Sequence, residues 1–123
     1  MATIEMTQAT ADATLKDNDT VLVDFWAPWC GPCRTFSPIF ERVSDKYEDV
    51  VFAKVDTEQE QGLAMRFGIR AIPTLAVFRE GHLLVMQPGA LPEAALEQVV
   101  EKTLALDMNE VRKEVEGKQR HAV

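Results

Sequence analysis

The apolar positions of the chain follow two periods. Thr20 to Ala27 is a continuous apolar run broken only by Asp24, and Val50 to Val55 is another, broken only by Lys54. Runs of this length read as central strands covered on both faces of a sheet. Residues 3–6 predict a short edge strand. Gln8 to Lys16 predicts a weaker helix resting on Ala11 and Leu15, closed by the turn signal Asp17-Asn18-Asp19. Phe36, Ile39, Phe40, Val43 and Tyr47 recur with helical spacing, which predicts an amphipathic helix from about Pro32 to Tyr47. Pro38 lies inside that pattern and should kink the helix, because the periodicity continues past it. Glu58 to Phe67 is a further helix, begun by Asp56-Thr57-Glu58 and ended by a left-handed Gly68. It offers Leu63, Ala64 and Phe67 to the core.

The second half ends differently. Thr74 to Phe78 and Leu83 to Met86 are strands joined by Arg79-Glu80-Gly81-His82, the spacing of a β-hairpin, and Pro88-Gly89 ends the second strand. Leu91 to Ala105 is a helix with Pro92 near its first turn and Leu96, Val99, Val100 and Leu104 on one face. The order is β-α-β-α-β-α-β-β-α. This is an α/β chain: a mixed sheet with parallel crossovers first, a hairpin last, and helices on both faces. Residues 1–105 make one domain. Residues 106–123 stand outside the plan as a helical extension. Asp107 and Glu110 resemble a capping box, Leu104, Met108, Val111 and Val115 keep helical spacing, and Gly117 is the expected stop before a frayed end. The extension either lengthens the preceding helix or folds back on the body. A solvent-facing add-on is the plain reading, and a docking or oligomer contact the sharper one.

Charge narrows the function. The net charge is −7, and residues 1–60 carry 5 basic against 12 acidic side chains while residues 61–123 carry 8 of each. Phosphate backbones need a basic stripe, so nucleic acid is excluded as a partner. No stretch approaches the ~20 apolar residues of a membrane span. Met1 to Met6 has neither a basic segment nor an apolar one, so no export signal is read and the cytoplasm is the expected location. The chain has two cysteines, Cys30 and Cys33, in one C-x-x-C. Without an export signal that pair reads as a redox motif or half of a metal site. Zinc needs four ligands, and only His82, in a hairpin turn, and His121, near the end of the chain, remain as nitrogen donors. A metal site is therefore not expected.

The cysteines sit where strand becomes helix. A helix start presents free N–H groups and the positive end of the dipole, both of which favour a thiolate on Cys30. Gly31-Pro32 makes the turn tight. Cys33 lies one turn on, deeper, placed to attack a mixed disulfide on Cys30 and release the reduced partner. Asp24, desolvated in its strand, should have a raised pKa and take the proton of Cys33. Lys54 can pair with Asp24 and tune it if their strands are neighbours. Ile72-Pro73 precedes a strand, and local sequence leaves its isomer open. Trp26 reads as core and Trp29 as partly exposed beside Cys30. The acidic Glu48-Asp49 and Glu58-Gln59-Glu60 read as solvated faces.

These residues together resemble a known family. Trp29-Cys30-Gly31-Pro32-Cys33, preceded by Val23-Asp24-Phe25-Trp26-Ala27 and followed about 40 residues later by Ile72-Pro73-Thr74-Leu75, is similar to thioredoxin from about residue 2 to residue 105. The resemblance implies a thioredoxin fold: a five-stranded mixed sheet flanked by four helices, here with an extra C-terminal helical tail. It implies Cys30 as nucleophile, Cys33 as resolving thiol, Asp24 as buried acid and Lys54 beside it. Pro73 would be cis and face the cysteines. Trp29, Gly31, Pro32, Ile72, Pro73, Gly89 and Ala90 would form the apolar surface that receives client proteins, with Trp26 behind it. The implied activity is reduction of client disulfides by a monomer without a bound cofactor, recharged by a flavin- and NADPH-dependent thioredoxin reductase. Arg34-Thr35, Ala71, Pro88 and the tail depart from the usual pattern and bear on partner choice. Two rivals remain: a disulfide oxidase or isomerase, against which Gly31-Pro32 and the missing export signal speak, and a binding module using the surface around Trp29 and Pro73.

Overall fold

The computed structural model describes residues 2–121, with side chains up to residue 117. Five strands form one sheet in the order β1-β3-β2-β4-β5: β1 Thr3–Glu5, β2 Thr20–Trp26, β3 Val51–Asp56, β4 Thr74–Arg79 and β5 His82–Pro88. β1, β3 and β2 run parallel, and β4 and β5 run antiparallel to their neighbours. Five helices complete the chain: α1 Ala11–Asp17, α2 Gly31–Ser44, α3 Gln61–Arg66, α4 Glu93–Leu104 and α5 Met108–His121. Each predicted element is present in the predicted order.

Strand alternation sorts the core into two layers. Val21, Val23 and Phe25 of β2 join Ala53, Val55, Ala76 and Phe78 on one face, against Leu15 of α1 and Leu63 of α3. Leu22 joins Phe52, Leu75 and Val77 on the other, against Phe36, Phe40 and Val43 of α2 and Leu96 and Val100 of α4. Each fully buried Leu or Phe contributes about 1.5–3 kcal/mol. By the same alternation Asp24 and Lys54 fall on the face that α2 covers.

Several ends differ from expectation. α2 runs through Pro38, as the periodicity requires, but stops at Ser44, three residues before Tyr47. α3 begins at Gln61 instead of Glu58, because Asp56 Oδ1 accepts from the N–H groups of Glu58 and Gln59 and closes a turn there first. Gly68 takes the left-handed conformation expected of it, φ 64°. On α4, Thr103 takes the buried place expected of Leu104, which is exposed. Thr103 Oγ1 bonds back to the Val99 carbonyl, and Arg79 Nη1 donates to the Thr103 carbonyl at 2.7 Å, pinning this helix end to β4.

The tail folds back. α4 stops at Leu104, and α5 starts afresh at Met108, whose side chain is buried. Arg112 of α5 pairs with Glu80 in the hairpin turn, and Val111 and Val115 lie half-buried along a groove shared with Leu83 and Val85 of β5 and Val99 of α4. The tail is thus neither a continuation of α4 nor a free add-on. Gly117 does not stop it: α5 reaches His121, and residues 122–123 lie outside the described residues.

Candidate functional site

Cys30 stands at the junction between β2 and α2. Its backbone is extended, so it serves as the N-cap of α2, and its Sγ accepts from the Cys33 N–H at 3.2 Å. Pro32 follows within the first turn, where its missing N–H costs nothing. A cysteine in a capping place receives the N–H that a serine or aspartate would take elsewhere, which stabilises negative charge on its sulfur. Cys30 and Cys33 are joined in a disulfide, with Cα atoms 5.2 Å apart. Both are buried, Cys30 at 4% exposure and Cys33 at 2%, so the expected difference in depth is small in the oxidised form.

The Ile72–Pro73 loop reaches the pair. Ile72 packs against the cysteines together with Trp26 and Ala27, and Cys30 Sγ lies 3.7 Å from the Ile72 carbonyl oxygen. The Ile72–Pro73 peptide bond is cis. Gly89, with φ 94°, donates its N–H to the Pro73 carbonyl at 2.8 Å, which ties the end of β5 to this loop. Gly31, Pro32, Gly89 and Ala90 are exposed. Trp29 is 63% exposed, and its indole N–H donates to Glu58. Arg34 Nη2 donates to the Pro28 carbonyl and braces the turn before the cysteines.

Below the helix lies the acid. Asp24 is fully buried, with Lys54 its register partner on β3 and Leu75 on β4. Neither carboxyl oxygen has a hydrogen-bond partner among the described residues. Burial pushes the Asp24 carboxyl up and the charge of Lys54 offsets part of that rise, which leaves it at about 7. The expected ion pair is not formed. The Lys54 ammonium donates instead to Ser37 Oγ and lies 5.2 Å from the centroid of the Trp26 ring. Lys54 therefore acts on Asp24 through its field and not by contact.

The contacts of three residues escaped the sequence. Glu58 reads as a solvated acid, yet it holds Trp29, because Asp56 and the two bonds from Thr57 to the Trp26 carbonyl fold the loop back toward the turn. Glu60 likewise leaves the solvated face to accept from the Gln8 N–H. Ser37 carried a usable signal: it lies four residues after Cys33 on the same helix stripe. His82 opens β5 half-buried, and no group of His, Cys, Asp and Glu suited to a metal ion occurs among the described residues.

This arrangement, a capped cysteine pair at a helix start facing a cis-proline loop, carries a family signature. A model of the thioredoxin family matches residues 2–102. The chain belongs to the thioredoxin family. It is 50% identical over 121 residues to the putative thioredoxin 2 of Streptomyces coelicolor, covering 98% of this chain and 90% of that one. It is 42% identical to thioredoxin 1 of Nostoc sp., covering 84% and 98%. Among solved structures, a Plasmodium falciparum thioredoxin superposes with TM-score 0.75 at 36% identity, covering 81% of this chain and 97% of that one. A mutant thioredoxin from Halobacterium salinarum gives TM-score 0.78 at 35% identity, covering 85% and 92%. With its redox pair in place, this thioredoxin-family chain is a thiol–disulfide oxidoreductase that reduces disulfides of client proteins, the activity that in this family is coupled to a thioredoxin reductase. The match to the Streptomyces protein runs into α5, so the tail is shared with at least one relative. Among the described residues no helix is long and apolar enough to cross a membrane.

Proposed function

We propose that Cys30, Cys33 and Asp24 divide the reaction among them. The Cys30 thiolate attacks one sulfur of a client disulfide; a Cys30–client disulfide forms and a client thiolate leaves. Cys33 then attacks Cys30 Sγ as its proton passes to Asp24, directly or through water. The Cys30–Cys33 bond forms, the second client thiolate leaves, and two electrons have moved to the client. The observation that carries this reading is the seat of the pair: Cys30 Sγ receives the Cys33 N–H and rests against the Ile72 carbonyl, above a buried Asp24 whose carboxyl oxygens have no hydrogen-bond partner among the described residues.

In the same reading the exposed rim of Trp29, Gly31, Pro32, Gly89 and Ala90, with Ile72 and Pro73 behind it, receives the client backbone and its flanking apolar side chains. Residues 1–105 carry the chemistry and residues 106–123 support the body. The reductase that recharges the pair uses flavin and NADPH, and the chain works as a cytoplasmic monomer with no bound cofactor. Trapping tests the division of roles. In Cys33→Ser, client proteins should accumulate as mixed disulfides on Cys30, and a thiol reductant should release them. Adducts mapped to another residue, or insulin reduction that survives Cys30→Ser, would overturn it.

A further inference from the structure

Asp24 and Lys54 are register neighbours on adjacent parallel strands, on the face beneath α2. A lysine free to choose would place its ammonium on the carboxylate. Here it donates to Ser37 Oγ at 2.5 Å and sits over the Trp26 ring, and both Asp24 oxygens lack a hydrogen-bond partner among the described residues. Ser37 follows Cys33 by one helical turn, so one stripe of α2 presents the resolving sulfur and holds the lysine. We propose that Ser37 is a positioning residue: its hydroxyl keeps the Lys54 ammonium off the Asp24 carboxylate, and Asp24 thereby stays basic enough to accept the Cys33 proton. This rests on the reading of Asp24 given above.

The surrounding charges fit the arrangement. From β4, Asp24 meets the neutral Leu75, and the disulfide on α2 is neutral as well. The remaining charged groups nearby line the cleft that Lys54 shares with Trp26: Glu5 of β1, Glu41 of α2, Asp56 of β3, and Glu60. All four are acidic. Ser37 of α2 gives the ammonium a neutral acceptor instead. In a helix interior a serine hydroxyl ordinarily turns to the carbonyl one turn back or to water. This one turns to the lysine.

The test is an NMR titration of the Asp24 carboxyl carbon in the oxidised protein. Ser37→Ala should lower the Asp24 midpoint by about one pH unit, as an opposite charge brought to contact does. Ser37→Thr, which keeps the hydroxyl, should leave it in place. In a Lys54→Met background, Ser37→Ala should have no effect, because no ammonium is left to release. An unchanged midpoint in Ser37→Ala, or an equal shift in the Lys54→Met background, overturns the proposal. The pH profile of mixed-disulfide resolution separates the two readings. If the Asp24 midpoint falls and the profile does not follow, the positioning of Lys54 stands and Asp24 is not the proton acceptor.

Discussion

At the scale of single residues, Asp24 dominates the energetics. Its carboxyl is held near 7 in the fold against 3.8 in the unfolded chain, so between those values the folded state binds more protons. Stability from this group is therefore complete below about pH 4 and falls as pH rises, until the full penalty is present above about pH 7. The shift corresponds to about 4 kcal/mol, which two layers of buried Leu and Phe can outweigh. Asp24→Asn should thus be more stable than the parent at pH 8 by a few kcal/mol, on the order of 2–4. The gain should shrink toward zero by pH 4, as urea unfolding at the two pH values would show. Trp29 is held at the rim by Glu58. With Glu58→Ala its indole loses its acceptor, and KM for a protein client should rise about two- to fivefold with kcat little changed. The burial of Asp24 and its place beside Lys54 were legible in the sequence because a charge inside an apolar run stands out. The choice Lys54 makes between Asp24 and Ser37 was not, because it depends on how α2 lies across the sheet.

At the scale of elements, periodicity located every strand and helix, and the errors collect at ends. α3 starts late because Asp56 caps a turn that sequence cannot distinguish from a helix start. Leu104 and Thr103 exchange their expected places because the bond from Arg79 to the Thr103 carbonyl selects that side of the helix end. The cis bond at Ile72–Pro73 followed from the family resemblance alone, since local sequence leaves the isomer open. The course of the tail was the least legible, because it rests on one buried side chain, Met108, and one long-range ion pair. Cutting the chain after Ala105 should uncover the apolar groove along β5. We expect a loss of about 1–2 kcal/mol in urea unfolding, mostly from Met108 and the half-buried valines, with insulin reduction unchanged. A loss of activity with unchanged stability would instead place α5 in client binding.

At the scale of the molecule, the sheet has two outer strands and protects both. β1 is only three residues long, and β5 has α5 folded back beside it. With a net charge of −7 opposing self-association, sedimentation should give one species near 13.8 kDa across the micromolar range. The same architecture gathers the site from four separate parts of the chain: the β2–α2 junction, Lys54 of β3, the Ile72–Pro73 loop and the end of β5. In the proposed reaction Cys33 resolves the mixed disulfide with Asp24 as its base. The most direct measurement is the rate of release of a preformed Cys30 mixed disulfide against pH, in the parent and in Asp24→Asn. The parent rate should rise through about pH 7, and the variant should be at least about tenfold slower at neutral pH without that inflection. Equal rates and equal profiles would rule out Asp24 as the base.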